Sequence, residues 1–166
     1  PFASSAFEVL KTFKIALRHE NSHALVNAAL KMTVTTSNNQ IVAPGPILVF
    51  GGIDSHPIRA TNTENFLLNR ITTDSSTLPT ALNILVNQDL QPVIVSEPGK
   101  TQYRLSVASS FFYKFFLGFV PNLPANLVSA AATYERPVSS GSQSYDTNPI
   151  EYPASQYMPK LDGIYQ

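Results

Sequence analysis

Residues 102–121, QYRLSVASSFFYKFFLGFVP, hold the densest aromatic cluster of the chain: Tyr103, Phe111, Phe112, Tyr113, Phe115, Phe116 and Phe119. Side chains of this size are buried as a group, so their spacing decides what the chain folds around. At period two, Tyr103, Leu105, Val107, Phe111, Tyr113, Phe115, Leu117 and Phe119 share a nearly apolar face. The opposite face begins polar at Arg104 and Ser106 and becomes apolar at Phe112 and Phe116. That pattern predicts a long central strand, half covered at one end and covered on both faces at the other. A helix would instead gather Phe112, Phe115, Phe116 and Phe119 into one stripe, so Phe112 separates the two geometries. A membrane span is excluded by Arg104 and Lys114, which leave too short a clean apolar run.

The flanking chain reads in the same way. Residues 7–18 alternate Phe7, Val9, Phe13, Ile15 and Leu17 against Glu8, Thr12, Lys14 and Arg18, with Lys11, Leu10 and Ala16 out of pattern; a helix is the alternative, and the β-branched and aromatic content predicts a strand. Residues 24–35 predict a second, opposing Ala24, Val26, Ala28, Leu30, Met32 and Val34 to a more polar face, with a helical first half as the alternative because it is rich in Ala. TTSNNQ and APGP mark turns, and residues 47–50 form a short apolar strand ending in Gly51-Gly52. Further strands are expected over 65–72 (or a short helical turn), 81–87, 92–96 and 127–135, with loops at 53–64 and 74–79. The fold class expected is therefore all-β, an eight-stranded jelly-roll or Greek-key sandwich over residues 1–136. From Pro137 the composition turns to Ser, Gly, Pro, Gln and Tyr, and 137–166 reads as an extended C-terminal arm.

Charge excludes some functions. Only 13% of residues are charged and the formal net charge is zero, so no basic stripe supports nucleic-acid binding. Without cysteine there is neither a disulfide framework nor thiolate chemistry. No signal or targeting motif is visible, and a start at Pro1 without Met reads as a processed or truncated chain.

His19-Glu20-Asn21-Ser22-His23 is a literal H-E-x-x-H. On a helix its two histidines bind zinc and its glutamate activates the metal-bound water, the arrangement of zincin peptidases. It resembles that family only over these residues. No third histidine follows at the usual spacing, Glu64 and His56 are distant, and the segments on either side alternate like strands. A polar loop is the preferred reading, with His19, Glu20 and His23 as metal ligands in the alternative. Asp54-Ser55-His56 has no G-x-S-x-G nucleophile turn to serve, and Gly51-Gly52 lacks the Lys-Ser/Thr of a phosphate loop. Lys11, Lys14 and Arg18 read as a solvated row.

With no catalytic set, paired long strands, an aromatic strand and a Tyr/Pro tail, the chain resembles small single-jelly-roll viral coat proteins. That resemblance implies a structural, non-enzymatic capsid subunit in the virion, with copies of itself or related coat subunits as partners and no cofactor. Nucleic acid is a possible partner that the charge does not support, and no membrane span is expected. The C-terminal Gln166 suits release by a glutamine-directed viral protease. Phe112 and Phe116, together with Tyr145, Tyr152, Tyr157 and Tyr165 of the arm, are the expected interface residues. An extracellular fibre or adhesion subunit is the second reading, and a zinc metallopeptidase the third.

Overall fold

The computed structural model describes residues 5–18, 21–91 and 100–132. Four strands form one antiparallel meander in the order β1 (Ala6–Ala16), β2 (Ala24–Thr35), β3 (Ile47–Gly51) and β4 (Ile58–Arg59). β2 is the spine. It pairs with β1 along almost its whole length, from Ala6↔Thr35 to Ala16↔Ala24, and with β3 from Asn27↔Gly51 to Lys31↔Ile47. Its alternation works as the sequence suggests: Val26, Ala28, Leu30, Met32 and Val34 are buried, while Asn27 and Ala29 face out. In register beside them, Leu48 and Phe50 of β3 extend the same apolar face. The turn after β2 is closed by Asn39 at φ +56°, a conformation that asparagine tolerates better than most residues.

The other regular elements among the described residues are helical. α1 (Thr61–Leu67), α2 (Thr77–Ile84), α3 (Lys100–Leu117) and α4 (Ala125–Ala131) follow the strands in chain order. α2 runs on through one wider, π-type turn at Leu85–Asp89. Pro79 is tolerated because it lies in the first turn of α2, where its missing N–H has no helical partner to lose. The fold is thus α+β, an antiparallel sheet with one face packed by helices. The eight-stranded sandwich expected from the sequence does not form. The segments at 65–72, 81–87, 102–121 and 127–132 are helix or turn rather than strand. The strand expected at 92–96 and the boundary expected at 136/137 lie outside the described residues.

The aromatic stretch is the 18-residue helix α3. Ala108, Phe112, Phe115 and Phe116 are buried on it, and Leu105 packs alongside, at the 3–4-residue spacing of a helical stripe. Phe112 therefore lies with Phe115 and Phe119 in the core, not opposite them. Within Lys100–Leu117 only Thr101 and Val107 are β-branched, whereas Val9, Thr12 and Ile15 stiffen β1. The helix lies against the sheet through ring contacts. Phe111 stacks on Phe13 of β1 at 5.2 Å, and Phe119, just beyond α3, stacks on Phe7 at 6.0 Å and meets Phe115 edge-on at 5.1 Å. Full burial of each such ring is worth about 1.5–3 kcal/mol. Phe112 and Phe116, expected at a subunit interface, are both 0% exposed within this chain alone.

Candidate functional site

Three polar anchors tie the elements together, two between helix and sheet and one between helices. The first joins α3 to the sheet end. Arg104 donates from Nη1 to the carbonyl oxygens of Gly52 (2.9 Å) and Leu25. Gly52 has φ +85°, and a side chain there would meet the Leu25 carbonyl and lie 3.2 Å from Arg104 Nη1. Glycine is therefore needed for both its backbone conformation and its lack of a Cβ. The sequence reading took Gly51-Gly52 only as a strand end and missed its pairing with Arg104.

The second anchor is Glu64, buried at 6% exposure on α1. Its Oε1 accepts the Leu48 N–H at 2.7 Å, and Arg59 Nε lies 3.0 Å from both carboxylate oxygens. Arg59 Nη2 adds an ion pair to Oε2 at 2.9 Å. One carboxylate thus joins β3, β4 and α1, and no polar side-chain atom is left buried without a partner among the described residues. The hydrogen bond and charge of Glu64 push the already high pKa of Arg59 further up, so the guanidinium stays charged. The third anchor is Asp89, at the end of the π-type turn. It accepts the backbone N–H groups of Asn62 (3.0 Å) and Thr63 (2.9 Å), capping α1 from another element.

A groove of about 380 Å³ opens between α2, α3 and α4. Leu78, Leu82, Leu117, Val120 and Leu127 make it apolar, and Tyr113 and Asp74 also line it. At the α2 start, Asp74 Oδ1 accepts the Ser76 N–H and hydroxyl, each at 2.9 Å. The Ser76 amide first, and then the Ser76 hydroxyl, hold the Asp74 carboxyl below the usual carboxylate range. Thr72 closes the far side by donating its hydroxyl to the Phe119 carbonyl at 3.0 Å.

The sequence candidates fall elsewhere. His19 and Glu20 lie outside the described residues, and His23 is exposed just before β2. The segment carrying the motif joins two antiparallel strands, ending β1 at Ala16 and beginning β2 at Ala24. No group of three or more His, Cys, Asp or Glu side chains able to hold a metal occurs among the described residues. Ser55 Oγ is 3.2 Å from His56 Nδ1, a contact between neighbours in an exposed turn. Lys14 and Arg18 are exposed, and Arg18 donates to the Asn21 carbonyl at 2.7 Å. Tyr145, Tyr152, Tyr157 and Tyr165 lie outside the described residues.

Residues 11–119 match the CO dehydrogenase flavoprotein C-terminal domain family, from within β1 to just past the end of α3. The chain belongs to that family. It is 32% identical over 152 residues to a xanthine dehydrogenase of Emericella nidulans, covering 89% of this chain and 11% of that protein. A xanthine dehydrogenase of Oryza sativa subsp. japonica is 31% identical over 150 residues, covering 84% of this chain and 11% of that protein. The chain thus spans about a ninth of the length of these curated relatives. The fold is shared with quinoline 2-oxidoreductase from Pseudomonas putida 86, at a TM-score of 0.51 and 24% identity over 65% of this chain and 35% of that one.

These likenesses overturn the functional expectations drawn from the sequence. The family is a flavoprotein domain and the relatives are oxidoreductase enzymes of cellular organisms, so a viral coat subunit is excluded, as are the fibre and zinc-peptidase readings. A non-enzymatic role, a virion location and coat-subunit partners fall with it. Of the strands that carried the resemblance to coat proteins, the paired ones form β1 and β2, but the aromatic stretch and the last one fall on α3 and α4. No described helix is long and apolar enough to cross a membrane.

Proposed function

We propose that this chain is part of the flavoprotein portion of a molybdenum-hydroxylase-type oxidoreductase acting on xanthine or a closely related purine. The observation that carries the reading is the family match over residues 11–119, joined to 32% identity with a xanthine dehydrogenase over nearly the whole chain.

The family's description implies a flavin, and the described residues do not fit one by themselves. The α2–α3–α4 groove is apolar with an acidic rim at Asp74, which disfavours a pyrophosphate. The glycine pair at 51–52 stands at the end of β3 and opens no helix, so it is not the strand-to-helix loop whose N–H groups cradle a phosphate. Flavin-holding residues therefore belong to parts of the protein beyond those described, and the described domain acts as a brace. Its contribution is mechanical: Arg104 and Glu64 tie α3 and α1 to the sheet, and Asp89 ties the π-type turn after α2 to α1.

The test is a substrate panel on the full-length protein with an electron acceptor. Xanthine, carbon monoxide and quinoline represent the substrates that the relatives' names carry. Turnover of xanthine above the other two supports the reading. Turnover of quinoline or carbon monoxide alone would keep the enzyme class and reject the purine assignment, and no turnover of any would reject both.

A further inference from the structure

The groove between α2, α3 and α4 has no part in the reading above, and its chemistry is two-ended. Its walls are apolar side chains that water would otherwise wet. α4 buries none of its own residues, and Val128 on it is 54% exposed, so this helix rests on α3 and leaves the space beneath unfilled. At the rim, Asp74 uses Oδ1 for both Ser76 donors, while Oδ2 makes no hydrogen bond among the described residues. The Tyr113 hydroxyl likewise makes none. Thr72 is spent on the Phe119 carbonyl, so it offers no donor to a bound anion. Among the described residues, Arg70 is the cation whose charge acts on Asp74, and its guanidinium sits over the Phe66 ring at 4.7 Å.

We infer that this groove is a binding site for a small aromatic or alicyclic amine, its ring between Leu82, Leu117 and Leu127 and its ammonium on Asp74 Oδ2. A volume of about 380 Å³ is at the small end of the range for ligand pockets, enough for one or two fused rings and a short amine arm. Charge selects the cation. Asp74 remains ionised, so an ammonium gains a charge-assisted hydrogen bond that an alcohol makes only weakly, and a carboxylate is repelled. The site stands apart from the oxidoreductase reading and takes a different ligand, so either can fail alone.

The experiment uses the full-length protein with Ser75→Cys at the groove rim, and a second variant with Ser110→Cys on an exposed part of α3. Iodoacetamide labelling of each introduced thiol is followed by peptide mass spectrometry, with and without 1-naphthylmethylamine, 1-naphthalenemethanol or 1-naphthoate. The amine should slow labelling at position 75 and not at 110, with an apparent affinity about tenfold above the alcohol's and no protection by the acid. Asp74→Asn should abolish the preference for amine over alcohol while leaving the alcohol's protection in place. Leu82→Trp, which fills the groove, should remove protection by both. Equal protection by amine, alcohol and acid would overturn the inference, as would an amine effect that survives Leu82→Trp. A thiol at 75 already unreactive without any probe would mean that another part of the protein fills the groove, and that too would overturn it.

Discussion

Replacing Gly52 with alanine puts the largest strain on the smallest change in the structure. The residue has φ +85°, which costs an L-amino acid about 1–2 kcal/mol. The new methyl group would also meet the Leu25 carbonyl oxygen, a backbone atom at the start of β2 rather than the tip of a flexible side chain. Moving either backbone breaks the geometry in which Arg104 Nη1 reaches two carbonyls at once, and hydrogen bonds from a charged donor are worth about 2 kcal/mol here. The sum is about 3–4 kcal/mol, or roughly two to three decades in a local opening equilibrium. Hydrogen exchange read by mass spectrometry on the full-length protein suits this, because it reports the junction rather than global unfolding. Peptides covering the start of β2 and the first half of α3 should lose protection by that factor, while α2 and α4 change little. Arg104→Met, which keeps much of the apolar stem, should show part of the same loss, and the double variant should cost less than the sum, since both changes break one junction. Additive effects, or a loss under tenfold in Gly52→Ala, would refute the argument that glycine and arginine form one unit.

Other substitutions test other parts. Phe112→Ala removes a ring that is 0% exposed and should cost about 3–5 kcal/mol, read as a fall in soluble yield and thermal midpoint; Phe111→Ala, only partly buried, should cost less. Glu64→Ala leaves the Leu48 N–H without its acceptor in a buried place and should cost about 2–4 kcal/mol, whereas Glu64→Gln keeps an acceptor and should cost less by the same thermal assay. Asp74 has its folded pKa depressed by the Ser76 contacts, so its support of the α2 start is present above its unfolded value of about 3.9 and lost as pH falls through the folded pKa. Asp74→Ala should therefore speed exchange in α2 at neutral pH, and the difference from wild type should vanish as the pH falls below the carboxylate range.

The sheet was readable because β1 and β2 alternate over most of their length and because β-branched residues populate them, Val26, Thr33, Val34 and Thr35 in β2 among others. The helices were misread for a shared physical reason. Aromatic side chains favour strands in isolation, but the fold of 102–121 is set by where its rings can be buried, and here one helical stripe carries Phe112, Phe115 and Phe116 into the core with β2 and β3. The cue was present in Ala108, Phe112, Phe115 and Phe116 at helical spacing, and in the scarcity of β-branched residues over Lys100–Leu117. For 81–87 the short apolar run carries no period long enough to separate strand from helix, and Pro79 in a first turn looks like a loop until the helix is known. The anchors were not legible at all. Arg104 with Gly52, Glu64 with Leu48 and Asp89 with Thr63 are separated by 52, 16 and 26 positions, and no local pattern announces such pairs. Gly52 came nearest, since a glycine pair closing a strand asks what approaches it.

Flavin content tests the central claim most directly. The full-length protein, purified without added cofactor and then denatured, should release about one flavin per chain, as a flavoprotein holds its cofactor through purification. Gly52→Ala should lower that occupancy by loosening the brace. Intact, folded protein that releases no flavin and takes none up on incubation would contradict the account.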